Sequence, residues 1–102
     1  MATASDHWAA GLWTVKPGSE DEFVARWSTW LEWTSKNATG FRSATLIRSD
    51  ADGRRFESFS DWDSADARAA WMNSDGFRDL MVPVRELCDT VEAGIFTTAA
   101  SF

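Results

Sequence analysis

An α+β fold of element order β-α-β-β-α-β, built on an antiparallel sheet, is the class that this sequence predicts. Three observations carry the prediction. Apolar residues recur at a helical period from Phe23 to Thr34, and a second short helical pattern runs from Ala65 to Met72. Four runs of extended character lie around these stretches. Turn chemistry at Lys16-Pro17-Gly18, Thr39-Gly40 and Asp50-Ala51-Asp52-Gly53 separates them.

The first strand is WAAGLWTV, residues 8–15, and it ends where Pro17-Gly18 cannot continue a ladder. Ser19 stands at an N-cap with Glu22 three residues on, the pattern of a capping box. The helix that follows runs to about Asn37 and stops at Thr39-Gly40. At about 100° per residue, Phe23, Val24, Trp27, Trp30, Leu31 and Thr34 share its inner face, and Trp33 falls at the edge of that stripe. FRSATLIRS, residues 41–49, and RRFESFSDW, residues 54–62, form a hairpin about the turn at 50–53. Phe56, Ser58, Ser60 and Trp62 alternate onto one face of the third strand. Asp63-Ser64 caps a helix over Ala65–Met72, and Asn73-Ser74-Asp75 restarts it as GFRDLM until Pro83 breaks or kinks it. The tail, VEAGIFTTAASF, residues 91–102, is the fourth strand.

This is the ferredoxin-like split unit, with the first and third strands central and both helices on one sheet face. The first strand has apolar residues on both faces, Trp8 and Leu12 on one, Trp13 and Val15 on the other. Helices cover one side only. A second copy packed sheet to sheet is the most economical cover for the other, so a homodimer is expected.

A length of 102 residues fits a single domain, with residues 1–7 expected as a loose N-terminus. The formal charge of −6, with Lys and Arg scattered, argues against a nucleic-acid partner. No apolar run is long enough to span a membrane, and MATASDHW lacks the features of a secretory signal, so the cytoplasm is the expected location. Cys88 is the lone cysteine and reads as a small buried hydrophobe. Asp61 and Asp63 read as solvated or capping groups. His7, ahead of the first strand, could act as a base only if the terminus folded over a pocket.

Aromatic surface is what remains as a candidate site. Seven residues are Trp and none is Tyr. Trp27 and Trp30 point from the first helix to the sheet, Trp62 ends the third strand, and Trp71 lies on the second helical segment. Each alone has core packing as its plain reading. Four converging on one helix–sheet gap suggest a concave, aromatic-walled site for a small molecule.

The stretches GLWTVKPGSEDEFVARW and GFRSATLIRSDADGRRFESFSDWDSADARAAWMNSDGF resemble the antibiotic biosynthesis monooxygenase family of dimeric α+β barrels. The Pro-Gly turn, the strand-ending Trp62, Ser64 after it and the run Trp71, Ser74, Phe77 carry the likeness, which spans residues 8 to 98. The resemblance implies oxidation of a polycyclic phenol or anthrone by O2 with no cofactor, the deprotonated substrate itself supplying the electrons. It implies catalytic roles for Trp62 and for Ser58 and Arg68, which stand where quinone-forming members carry Asn and Tyr. Helical spacing with Ala65, Ala69 and Met72 turns Arg68 toward the sheet. Phe23, Trp27, Trp30, Trp71, Met72 and Phe77 are the expected substrate-binding wall. The haem-degrading branch of the superfamily is disfavoured, because Met81 stands where its axial His would be. Two alternatives stay open: a hydrophobic small-molecule binding protein without redox chemistry, and a cyclase or isomerase.

Overall fold

The computed structural model describes residues 6–102, and residues 1–5 of the expected loose terminus lie outside them. The chain forms β1 (His7–Val15), α1 (Glu20–Asn37), β2 (Phe41–Arg48), β3 (Arg55–Trp62), α2 (Ala65–Met72), α3 (Asp75–Arg85) and β4 (Cys88–Thr97). His7 therefore opens the first strand instead of preceding it. The sheet is antiparallel in the order β2-β3-β1-β4, so β1 and β3 are central, as the ferredoxin-like pattern requires.

Local chemistry explains most of the boundaries. Gly18 (φ 85°) and Gly40 (φ 82°) take the left-handed conformation on either side of α1. A Cβ on Gly40 would also lie 2.6 Å from that of Ala67, so the turn packs tightly against α2. Ser64 and Ser74 cap α2 and α3, their hydroxyls accepting from the backbone N–H of Ala67 (3.0 Å) and Phe77 (3.1 Å).

Four expectations are corrected. Ser19 does not form a capping box: its φ/ψ of −101°/8° is not extended, and its side chain makes no cap bond. Glu22 pairs with Arg26 at 2.6 Å instead. Val24 belongs to the exposed side of α1. The helix α3 runs through Pro83 to Arg85, and the Pro83 carbonyl accepts from Arg26 Nη1 at 2.9 Å. The fourth strand starts three residues earlier than expected and ends at Thr97. Cys88 and Thr90 find partners in Val15 and Thr14, and just past the His7–Thr97 pair the Thr98 N–H donates to the Asp6 carbonyl at 3.1 Å.

The core lies between the helices and one sheet face and contains Trp13, Val15, Phe23, Trp27, Trp30, Leu31, Phe56, Trp62, Trp71 and Val84. Trp33 packs its ring onto Gly76 of α3, where a Cβ would collide with it. On the opposite sheet face, cross-strand register brings Trp8, Ala10 and Leu12 beside Phe59, Glu57 and Phe96. Leu12 (37%), Ile47 (47%) and Phe96 (55%) are exposed there. No helix among the described residues is long and apolar enough to cross a membrane.

Candidate functional site

The inner faces of β1, β3 and β4 and the three helices line a cavity of about 380 Å³ that is open to solvent on one side. That volume falls within the range of small-molecule sites. Its wall includes Trp13, Trp27, Trp30, Trp71, Met72, Phe77, Met81 and, from the sheet, Gly11, Ser58, Ser60 and Ala93. The polar side chains in the lining, apart from indole N–H groups, are Ser58, Ser60 and Arg85.

The indoles stack on one another and leave the cavity beside them. Trp71 lies between Trp62 (4.7 Å, 30°) and Trp30 (5.6 Å, 18°), and Phe77 meets Trp71 edge-on at 4.6 Å and 90°. Trp13 meets Trp30 edge-on at 6.4 Å. Buried indole N–H groups need acceptors, and hydroxyls supply most of them. Trp71 Nε1 donates to Thr34 Oγ1 (3.0 Å), Trp62 Nε1 to Ser60 Oγ (2.9 Å) and Trp13 Nε1 to Ser58 Oγ (3.0 Å). Thr34 in turn donates to the Trp30 carbonyl at 2.9 Å. The buried Trp30 Nε1 has no acceptor among the described residues.

Of the residues expected at the site, Ser58, Trp27, Trp30, Trp71, Met72 and Phe77 line this cavity together. Trp62, Phe23 and Arg68 do not. Trp62 and Phe23 have no exposed surface and stand behind the wall, Trp62 against Trp71 and Phe23 against Trp13. Arg68 does turn toward the sheet, but its Nη1 donates to the Trp8 and Phe96 carbonyls at 3.0 and 3.1 Å, joining the ends of β1 and β4. Met81, at the place of the haem branch's histidine, lines the cavity with a thioether.

Arg85 was not foreseen. It lies exposed in the last turn of α3, lines the cavity and makes no ion pair among the described residues. The signal that could have found it is its place in a helix that continues past Pro83. Cys88 lies at the start of β4, half-buried, and burial pushes its thiol up to about 11, with Asp89 adding to the rise. It is therefore not a thiolate nucleophile near neutral pH.

The family model for antibiotic biosynthesis monooxygenases matches residues 7–82. The chain belongs to this family. Among solved structures it is similar to SnoaB of Streptomyces nogalater, described as a cofactor-independent oxygenase, at 23% identity over 96% of this chain and 97% of that one. Two SnoaB structures superpose with TM-scores of 0.87 and 0.85. A conserved protein from Methanosarcina mazei Go1 is 16% identical over 93% of this chain and 94% of its own, with a TM-score of 0.81. A search of functionally curated proteins gives no match. At these identities the superpositions establish a shared fold, and the chemistry has to be argued from the cavity.

Proposed function

We propose that this chain is a cofactor-independent monooxygenase that binds a planar polycyclic phenol or anthrone and oxidises it with O2. The observation that carries the reading is an apolar cavity with indole walls and a guanidinium in its lining, Arg85, that makes no ion pair among the described residues. Membership of the monooxygenase family and the likeness to SnoaB support the reaction type.

In this reading Trp27, Trp30, Trp71, Met72 and Phe77 hold the ring faces, and Ser58 and Arg85 meet the substrate's oxygen. Trp62 and Phe23 back the wall, and Arg68 secures the strand ends behind it. Among the described residues the lining contains no carboxylate or imidazole. Ionisation therefore depends on lowering the substrate's own pKa, with water removing the proton. The cation favours the anion, and the apolar indole walls strengthen that attraction. The anion passes one electron to O2, the radical pair combines at carbon, and loss of water from the hydroperoxide leaves a quinone. One O2 is consumed and one water released per substrate.

A homodimer belongs to the same proposal. A second copy would cover Leu12, Ile47, Phe59 and Phe96 on the open sheet face, which no element among the described residues covers.

The lack of a carboxylate or imidazole among the described lining residues also favours a second reading, a binding protein for the same class of ligand. Tryptophan quenching and oxygen uptake, followed together with 1,8-dihydroxy-9-anthrone in chelator-treated buffer, separate the two. Quenching with uptake above the uncatalysed rate is expected. Quenching at the uncatalysed rate would leave only the binding reading, and no quenching would remove both.

A further inference from the structure

The Ser58 hydroxyl sits at the seam between β1 and β3, directly opposite Gly11. A hydroxyl has one proton to donate and two lone pairs to offer. Trp13, two residues beyond Gly11 on the same face, reaches back across the glycine, and its Nε1 occupies one Ser58 lone pair at 3.0 Å. The crossing is possible only because Gly11 has no side chain. A Cβ there would lie 2.8 Å from Trp13 Nε1 and 3.2 Å from Ser58 Oγ. Ser58's other cross-strand neighbour is Leu46, which offers no acceptor from its side chain. The Ser58 proton thus has no acceptor among the described residues, and the group lines the cavity. Ser60 differs: it also takes an indole N–H, but directs its own proton to the Ala9 carbonyl at 3.4 Å.

We propose that Trp13 and Gly11 are positioning residues that set the Ser58 hydroxyl as a hydrogen-bond donor into the cavity, so that the site selects planar ligands bearing an acceptor oxygen, a carbonyl or an ionised phenol, beside the β1–β3 seam. The inference rests on the cavity being an aromatic-ligand site. A ligand presenting only C–H at that point leaves the hydroxyl proton unpaired once water is displaced, which weakens binding by the worth of one hydrogen bond.

The test uses 9-fluorenone, whose oxygen only accepts, and fluorene, which has the same ring outline without it. Tryptophan quenching gives both affinities for the full-length protein, and the infrared carbonyl stretch of bound fluorenone reports its hydrogen bond. The wild type should prefer fluorenone and lower its carbonyl frequency. Trp13→Phe should reduce the fluorenone/fluorene preference by about two- to tenfold, the worth of one neutral hydrogen bond, and return the carbonyl frequency toward its apolar-solvent value. Ser58→Ala should do the same, and the double variant should do no more than either single. Gly11→Ala reaches the same end by displacing the indole, which keeps the inference testable should Trp13→Phe fold poorly. Because the affinity ratio cancels general loosening of the wall, purely structural damage leaves it unchanged. Equal binding of the two probes by the wild type overturns the inference, as does a preference lost in Ser58→Ala but kept in Trp13→Phe and Gly11→Ala. If neither probe quenches, the ligand-site reading itself fails and takes this one with it.

Discussion

Replacing Arg85 by Met tests the electrostatic half of the proposed mechanism. The substitution keeps an unbranched apolar stem and removes the one charged side chain among the described residues of the cavity lining. Arg85 is exposed, so its field on a bound oxyanion is weaker than that of a buried group. At roughly 5 Å, a pair of unit charges interacts by about 1 kcal/mol in water and about 3 kcal/mol at the effective dielectric of a protein surface. Each 1.36 kcal/mol is about one pKa unit, so Arg85→Met should raise the bound phenol's pKa by about one to two units. Working below that pKa, the anion becomes about 10- to 100-fold scarcer and turnover falls in proportion. Above it the two proteins should converge. Spectrophotometric titration of the bound phenol gives the pKa, and oxygen uptake across pH gives the rate. Raising ionic strength should narrow the gap, since an exposed charge is screened. A variant whose bound-phenol pKa and pH–rate profile both match the wild type would refute the role of Arg85. Arg68→Met is the control. It should cost about 1–3 kcal/mol of stability through the loss of two charge-assisted bonds to backbone carbonyls, and leave the ligand pKa unmoved.

Gly76→Ala should destabilise the protein, although alanine normally improves a helix, because the new methyl enters the Trp33 ring. A drop in Tm of several degrees by calorimetry is expected, and an unchanged or higher Tm would contradict the packing. Trp71→Ala removes the indole held between Trp30 and Trp62 and should cost about 3–5 kcal/mol in denaturant unfolding. Alkylation of Cys88 should rise with pH toward a midpoint of about 11, from an ordinary value of 9.0; a midpoint near 9 would contradict the burial. The sign for stability follows. Between those two values the unfolded chain ionises and the folded one does not, so this group's contribution is present below pH 9 and falls as pH rises through 11. The wild type should sediment as the proposed dimer and Phe96→Asp, on the open sheet face, as a monomer; equal masses would refute that face as the interface.

Much of the architecture was legible because it depends on neighbours in sequence. Gly18 and Gly40 mark turns by their positive φ, and Ser64 and Ser74 cap helices three residues ahead of the N–H groups they accept. The 3.6-residue period put Trp27, Trp30 and Trp71 on inner faces, and the two-residue period did the same for Ser58. What was missed depends on contacts distant in sequence. Ser19 and Glu22 have the capping-box letters, but Glu22 finds Arg26 instead. Arg68 has the inward spacing, yet its head is taken by carbonyls of two strands that only the fold brings together. Trp62 reaches the right region but ends behind Trp71. Arg85 was overlooked because Pro83 reads as a helix stop, and the partnership of Gly11, Trp13 and Ser58 exists only in the β1–β3 register.

The most direct measurement is isotopic. Incubating the protein with 1,8-dihydroxy-9-anthrone under ¹⁸O2, in chelator-treated buffer made with ordinary water, asks where each oxygen atom goes. The new carbonyl of the quinone should carry one ¹⁸O atom, with one O2 consumed per quinone, at a rate that falls in Arg85→Met. Quinone formed no faster than without protein, or a protein-dependent product whose added oxygen comes from water, would contradict a cofactor-independent monooxygenase.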